Sequence, residues 1–121
     1  MIIITPEEIA AFRQQLADKP EALTALDTIA ECEGYVEDAI PLLLIRSGNE
    51  QDRGIHEWLE NCRNFVCLEE VRETLELGIL APAIEAIAIG AGVPPGIATA
   101  VSICVFKLGA KKFCDVNNPE V

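Results

Sequence analysis

LGILAPAIEAIAIGAGVPPGIATAVSICVFKL, Leu77 to Leu108, is the stretch on which the fold turns. Between Leu77 and Phe106 its only charged residue is Glu85. Pro82 opens one apolar segment and Pro94-Pro95-Gly96 separates it from a second, Ile97 to Leu108. A bilayer span needs roughly 20 apolar residues. The second segment is too short for that, and Glu85 would sit near mid-membrane in the first. Ala- and Gly-rich helices of this length suit the centre of a soluble core. Helices that are apolar all round need cover on every side, so the flanking sequence must supply amphipathic helices.

It does. Thr5-Pro6-Glu7-Glu8 is a helix start: Thr5 caps, Pro6 takes the first helical position and Glu8 closes a capping box. Ile9, Phe12 and Leu16 follow on one face. Pro20 opens a second helix, with Leu23, Leu26, Ile29 and Ala30 inward and Gly34 as a left-handed cap. Val36, Ala39, Ile40, Leu43 and Leu44 make the widest stripe, in which Pro41 predicts a kink or a late start. A fourth helix begins near Asp52, with Ile55, Trp58, Leu59, Cys62 and Val66 on one face. A fifth runs from about Leu68 to Leu77, with Val71 and Leu75 inward, Glu69, Glu70, Glu73 and Glu76 outward, and Gly78 as its cap. No segment alternates with period two over more than a few positions. The expectation is an all-α bundle of about seven short helices, organised as a three-helix unit (1–47), a helical bundle (52–114) containing the apolar hairpin 77–108, and a loose tail (115–121), all in one compact unit.

The 121 residues carry 9 Lys and Arg against 20 Asp and Glu, a net charge of −11. A nucleic-acid binder needs a basic face, and attachment to anionic lipid needs basic clusters, so both are disfavoured. The imbalance lies in the first half: residues 1–60 hold 13 acids and 4 bases, and the rest hold 7 and 5. Lys107, Lys111 and Lys112 form a small basic spot near a helix C-terminus. The five cysteines, Cys32, Cys62, Cys67, Cys104 and Cys114, are odd in number and follow no secretory segment. They read as thiols in a reducing cytoplasm, mostly buried as small hydrophobes.

The second and third helices read Ala25-Leu26-Asp27-Thr28-Ile29-Ala30-Glu31-Cys32-Glu33-Gly34-Tyr35-Val36-Glu37-Asp38-Ala39-Ile40-Pro41-Leu42-Leu43-Leu44. Residues 5–44 resemble the ubiquitin-associated (UBA) and CUE-type three-helix modules. Gly34-Tyr35-Val36-Glu37-Asp38-Ala39-Ile40 and Leu43-Leu44 occupy the family's Gly turn, Val-Glu-x-Ala-hydrophobic run and paired leucines. The family's Met-Gly-Phe type loop is replaced by Ala17-Asp18-Lys19-Pro20, and its turn Asn by Tyr35. The resemblance implies a small helical docking module, with Leu43 inward and Leu44 outward.

No catalytic or cofactor motif is present. His56, Cys62 and Cys67 have spacings too wide for a zinc site, and the single His is paired with no nucleophile by sequence. The glutamates of the fifth helix form no calcium loop, and Gly90 to Gly96 lacks the Lys-Ser/Thr of a P-loop. The sequence therefore reads as a non-enzymatic protein–protein interaction or regulatory module, without metal or cofactor. Leu43, Leu44, Glu69, Glu73 and Glu76 are the candidate protein-binding residues, and a homodimer is the default cover for surplus apolar surface. The alternative is a membrane-active hairpin inserting residues 77–108. A third reading is a thiol or metal sensor using Cys62, Cys67 and His56.

Overall fold

Eight helices appear among the described residues of the computed structural model, which are 2–46 and 55–116. They are α1 (Pro6–Gln15), α2 (Pro20–Glu31), α3 (Val36–Arg46), α4 (Ile55–Val66), α5 (Glu69–Glu76), α6 (Ala81–Gly90), α7 (Pro95–Leu108) and α8 (Ala110–Val116). The fold is all-α. The only β feature among these residues is one isolated antiparallel bridge, Ile3 to Tyr35.

α7 is the axis. Ile97 to Val105 are buried without a break, as expected of a helix with no polar face. It packs against α2, α3, α4, α5, α6 and α8, and Phe106 meets Phe12 of α1 edge to face at 5.8 Å. A single apolar cluster draws buried side chains from all eight helices. The N-terminal three helices therefore share their core with α7. No described helix is long and apolar enough to cross a membrane. The apolar stretch is divided into α6 of 10 residues and α7 of 14. At 1.5 Å per residue those are about 15 and 21 Å, against a hydrocarbon thickness of about 30 Å. Cover for α6 is incomplete: Ala83, Ile84 and Ile87 are buried, but Ile89 is 84% exposed.

Local signals explain most boundaries. The capping box at α1 forms as read: Glu8 N–H donates to Thr5 Oγ1 at 3.1 Å and Thr5 N–H to Glu8 Oε1 at 2.9 Å. Gly78 closes α5 in a left-handed conformation, φ 83°. Its N–H donates to Leu75 O, and Ile79 N–H donates to Thr74 O, both at 2.9 Å. That is the Schellman pattern. α2 ends in the same pattern, but one residue earlier than expected. Glu33 N–H donates to Ala30 O and Gly34 N–H to Ile29 O, so the left-handed capping position belongs to Glu33, φ 59°. Gly34 is itself at φ 88°, and a Cβ there would collide with the carbonyl oxygen of Ile4. Glycine is needed because the N-terminal segment crosses so closely, with Ile4 N–H donating to Gly34 O at 2.8 Å.

Two expectations need correction. The late start allowed for α3 does not occur: the helix starts at Val36 and runs through Pro41. Pro41 lies on the exposed side, and only one backbone bond is lost there. The segment after Leu108 is not loose at Asp115: it forms α8, which buries Phe113. The fourth-helix start near Asp52 lies outside the described residues, as do the side chains of Ile55, His56, Trp58 and Leu59.

Candidate docking face

α5, α7 and α8 meet around a groove of about 610 Å³, lined by Leu75, Glu76, Phe106, Gly109, Ala110 and the α8 residues Lys111, Lys112 and Asp115. Three exposed apolar side chains lie outside this lining but next to it along the chain: Leu77, 77% exposed, Ile79, 44%, and Leu108, 43%. The chain brings them to the same end of the bundle: Gly78, between Leu77 and Ile79, turns its open side to the Phe106 ring, and Leu108 is two residues past Phe106 on α7. The turn that carries Leu77 and Ile79 is held from outside by Gln15, whose Nε2 donates to Gly78 O at 2.8 Å while its Oε1 accepts from Leu80 N–H at 2.6 Å. The end of α7 is tied to the start of α1 by Lys107, whose Nζ lies 2.8 Å from Glu8 Oε2. That hydrogen bond, then the one from the Thr5 backbone, holds the Glu8 carboxyl below its ordinary value.

α8 forms one wall. Its polar anchor is Arg63, a nearly buried cation on α4. Arg63 Nη1 donates to Phe113 O at 2.6 Å, and its guanidinium carbon stands 4.0 Å from the centre of the Phe113 ring. Glu60 accepts from Arg63 Nη2 at 2.9 Å. The covalent anchor is a disulfide joining Cys67, just past α4, to Cys114 of α8.

That disulfide corrects the expectation of five thiols. An odd cysteine total concealed one pair, because Cys67 and Cys114 are 47 residues apart and meet only when α8 folds back on α4. Cys32, Cys62 and Cys104 remain free. Burial pushes the Cys62 and Cys104 thiols up to about 11 and about 12, so both are protonated and poor nucleophiles at neutral pH. A sensor built on Cys62 and Cys67 as two free thiols is therefore excluded while the disulfide stands. Among the described residues, no three His, Cys, Asp or Glu side chains gather as a metal site.

The sequence-derived binding residues divide. Leu43 and Leu44 are both buried, so Leu44 does not face outward as the UBA resemblance implies. Leu43 lines a smaller pocket with Arg46, Pro94 and Ile97, and so packs towards the start of α7. Glu69, Glu73 and Glu76 are exposed on α5, and Glu76 also pairs with Arg72 at 3.6 Å. Only Glu76 lines the groove. Lys111 and Lys112 are exposed on the adjacent α8, with no ion pair among the described residues. Sequence reasoning assigned these two lysines to the helix dipole and missed Arg63, Gln15 and the Cys67–Cys114 pair. Arg63 carried a faint signal, four residues after Leu59 at the edge of the α4 stripe. Gln15 carried none, since its partners are backbone atoms more than 60 residues away.

Compared with protein-family models, with curated proteins and with solved structures, the chain matches none.

Proposed function

We propose that this protein is a non-enzymatic, self-associating interaction module, and that two copies meet through the α5–α7–α8 face. The observation that carries this reading is the apolar groove, with Leu77, Ile79 and Leu108 exposed on the chain segments that adjoin its lining. An exposed apolar patch of this kind marks an interaction site. A second copy is the occupant because the rim carries both signs on neighbouring helices. Glu76 lines the groove from α5, with Glu69 and Glu73 exposed further along that helix, and Lys111 and Lys112 line it from α8 together with Asp115. A twofold axis across the groove sets the lysines of each copy against the glutamates of the other, which is the self-complementarity a closed dimer requires. Elsewhere a net charge of −11 repels a second copy and keeps nucleic acid away.

In this reading the UBA-like helices α1–α3 are scaffold. Leu43 and Leu44 are committed to the interior, and Lys19, in the segment between α1 and α2, reaches Glu85 of α6 at 3.3 Å.

Light scattering on the chromatographed protein, without detergent and over a concentration series, tests the proposal. A dimer is expected. Reversal of both rim lysines, Lys111→Glu with Lys112→Glu, should weaken it by about tenfold, since each rim ion pair contributes roughly 0.2–1 kcal/mol and reversal adds repulsion. Leu77→Asp should abolish it while leaving helicity unchanged. A chain that stays monomeric throughout, or a dimer indifferent to these variants, overturns the reading.

A further inference from the structure

We propose that the Cys67–Cys114 disulfide is a reversible clasp: a dithiol reductant opens it, α8 is released about Gly109, and the docking face loses one wall. The last step rests on the dimer reading above, and the first two stand without it.

α8 depends on its attachments. It has seven residues, well below the roughly 12–15 at which an isolated helix becomes even marginal in water. Among its described side chains, Ala110 and Phe113 are buried, at the near end and the middle. Lys111 and Lys112 face solvent. Its link to α7 is the single residue Gly109, in a left-handed backbone at φ 95°, ψ 109°. A positive φ favours glycine, which has no Cβ to restrict it, so this one-residue junction can pivot. Beyond Phe113 the described attachment is Cys114, bonded to Cys67. Gly109 therefore holds one end of the helix and the disulfide holds the other.

The bond is also reachable. Cys67 and Cys114 are both partly exposed, whereas Cys62 and Cys104 are buried. A thiolate of the reductant attacks one of the two sulfurs. The S–S bond breaks, and the electron pair leaves on the other cysteine, which takes up a proton. The second reductant thiolate then displaces the first cysteine from the mixed disulfide. The protein gains two electrons and two protons as a pair of thiols, and the reductant ends as its own disulfide. Among the described residues, what then holds α8 is the Arg63–Phe113 contact and the burial of Phe113 and Ala110, all non-covalent.

The test is hydrogen exchange on the full chain with dithiothreitol as the reductant, at a concentration where light scattering finds monomer. On reduction, amides of residues 110–116 should exchange about tenfold faster or more, while those of α7 keep their protection, the signature of a local opening. Alkylation should reach the partly exposed Cys32 in both states, label Cys67 and Cys114 only after reduction, and spare Cys62 and Cys104. The double variant Cys67→Ser, Cys114→Ser should exchange fast with and without reductant, and re-oxidation should restore protection in the natural sequence. Unchanged exchange over 110–116 overturns the clasp. So does loss of protection across the whole chain, which would make the bond a staple of the entire fold. An intact mass showing no disulfide in the oxidised sample overturns it too. A chain that is monomeric in both states removes only the last step.

Discussion

Glu33 occupies a backbone conformation that costs a non-glycine residue roughly 1–2 kcal/mol, and it does so at the position that glycine favours in this type of helix ending. Its neighbour Gly34 is constrained for a different reason, the Ile4 carbonyl oxygen occupying the space a Cβ would need. The two therefore respond oppositely to substitution. Glu33→Gly should raise stability by about 1 kcal/mol, read as a higher urea midpoint with an unchanged slope. Gly34→Ala should lower it by roughly 2 kcal/mol or more, because the colliding atom is backbone and cannot move without breaking the Ile4–Gly34 hydrogen bond. Only the presence of a turn here was legible in the sequence. Which residue of the Glu33-Gly34 pair takes the capping position depends on where α2 stops, and that depends on the N-terminal segment crossing behind it.

Between elements, the contact most open to a pH test joins the first turn of α1 to the last turn of α7. Glu8 is held below its ordinary carboxylate value by Lys107 and by the Thr5 backbone. A carboxyl depressed in the folded state stabilises the fold above its unfolded pKa, and that contribution fades as pH falls through the lowered one. Glu8→Gln keeps a capping-box side chain and removes the charge. The variant should be less stable than the natural sequence at pH 7, with the two denaturation midpoints converging as the medium is taken below the ordinary carboxylate range. A constant gap across that range would assign the effect to packing. The capping box was readable from Thr5 and Glu8 because its partners are three residues apart. The Lys107 partner was not, being 99 residues away. Gln15 and Arg63 follow the same rule: each is an ordinary polar residue by sequence, and each becomes a clamp because a distant carbonyl or N–H arrives beside it.

At the scale of the molecule, the disulfide closes a separation of 47 residues. Loop-closure entropy makes such a cross-link worth about 4 kcal/mol through the unfolded chain. That is less than the stability of many single domains, about 5–15 kcal/mol. The reduced protein should therefore remain helical in water but melt at a lower temperature and a lower urea concentration than the oxidised one, as followed by circular dichroism. Collapse of the helical signal on reduction alone would show that the core around α7 cannot stand without the bond.

Hydrophobic period and turn chemistry determined that this protein is helical, where seven of its helices lie within a few residues, and that the stretch from Leu77 to Leu108 contributes its centre. These are local properties, set by residues three or four positions apart. Tertiary structure decided the rest. It enclosed α7 while leaving Ile89 of α6 bare, and turned both Leu43 and Leu44 inward. It also folded α8 back so that Cys114 meets Cys67 and two lysines line a groove with Glu76 of α5. Each of these depends on which surfaces pack together, and the packing partners of a short helix are chosen by shape and burial across the whole chain.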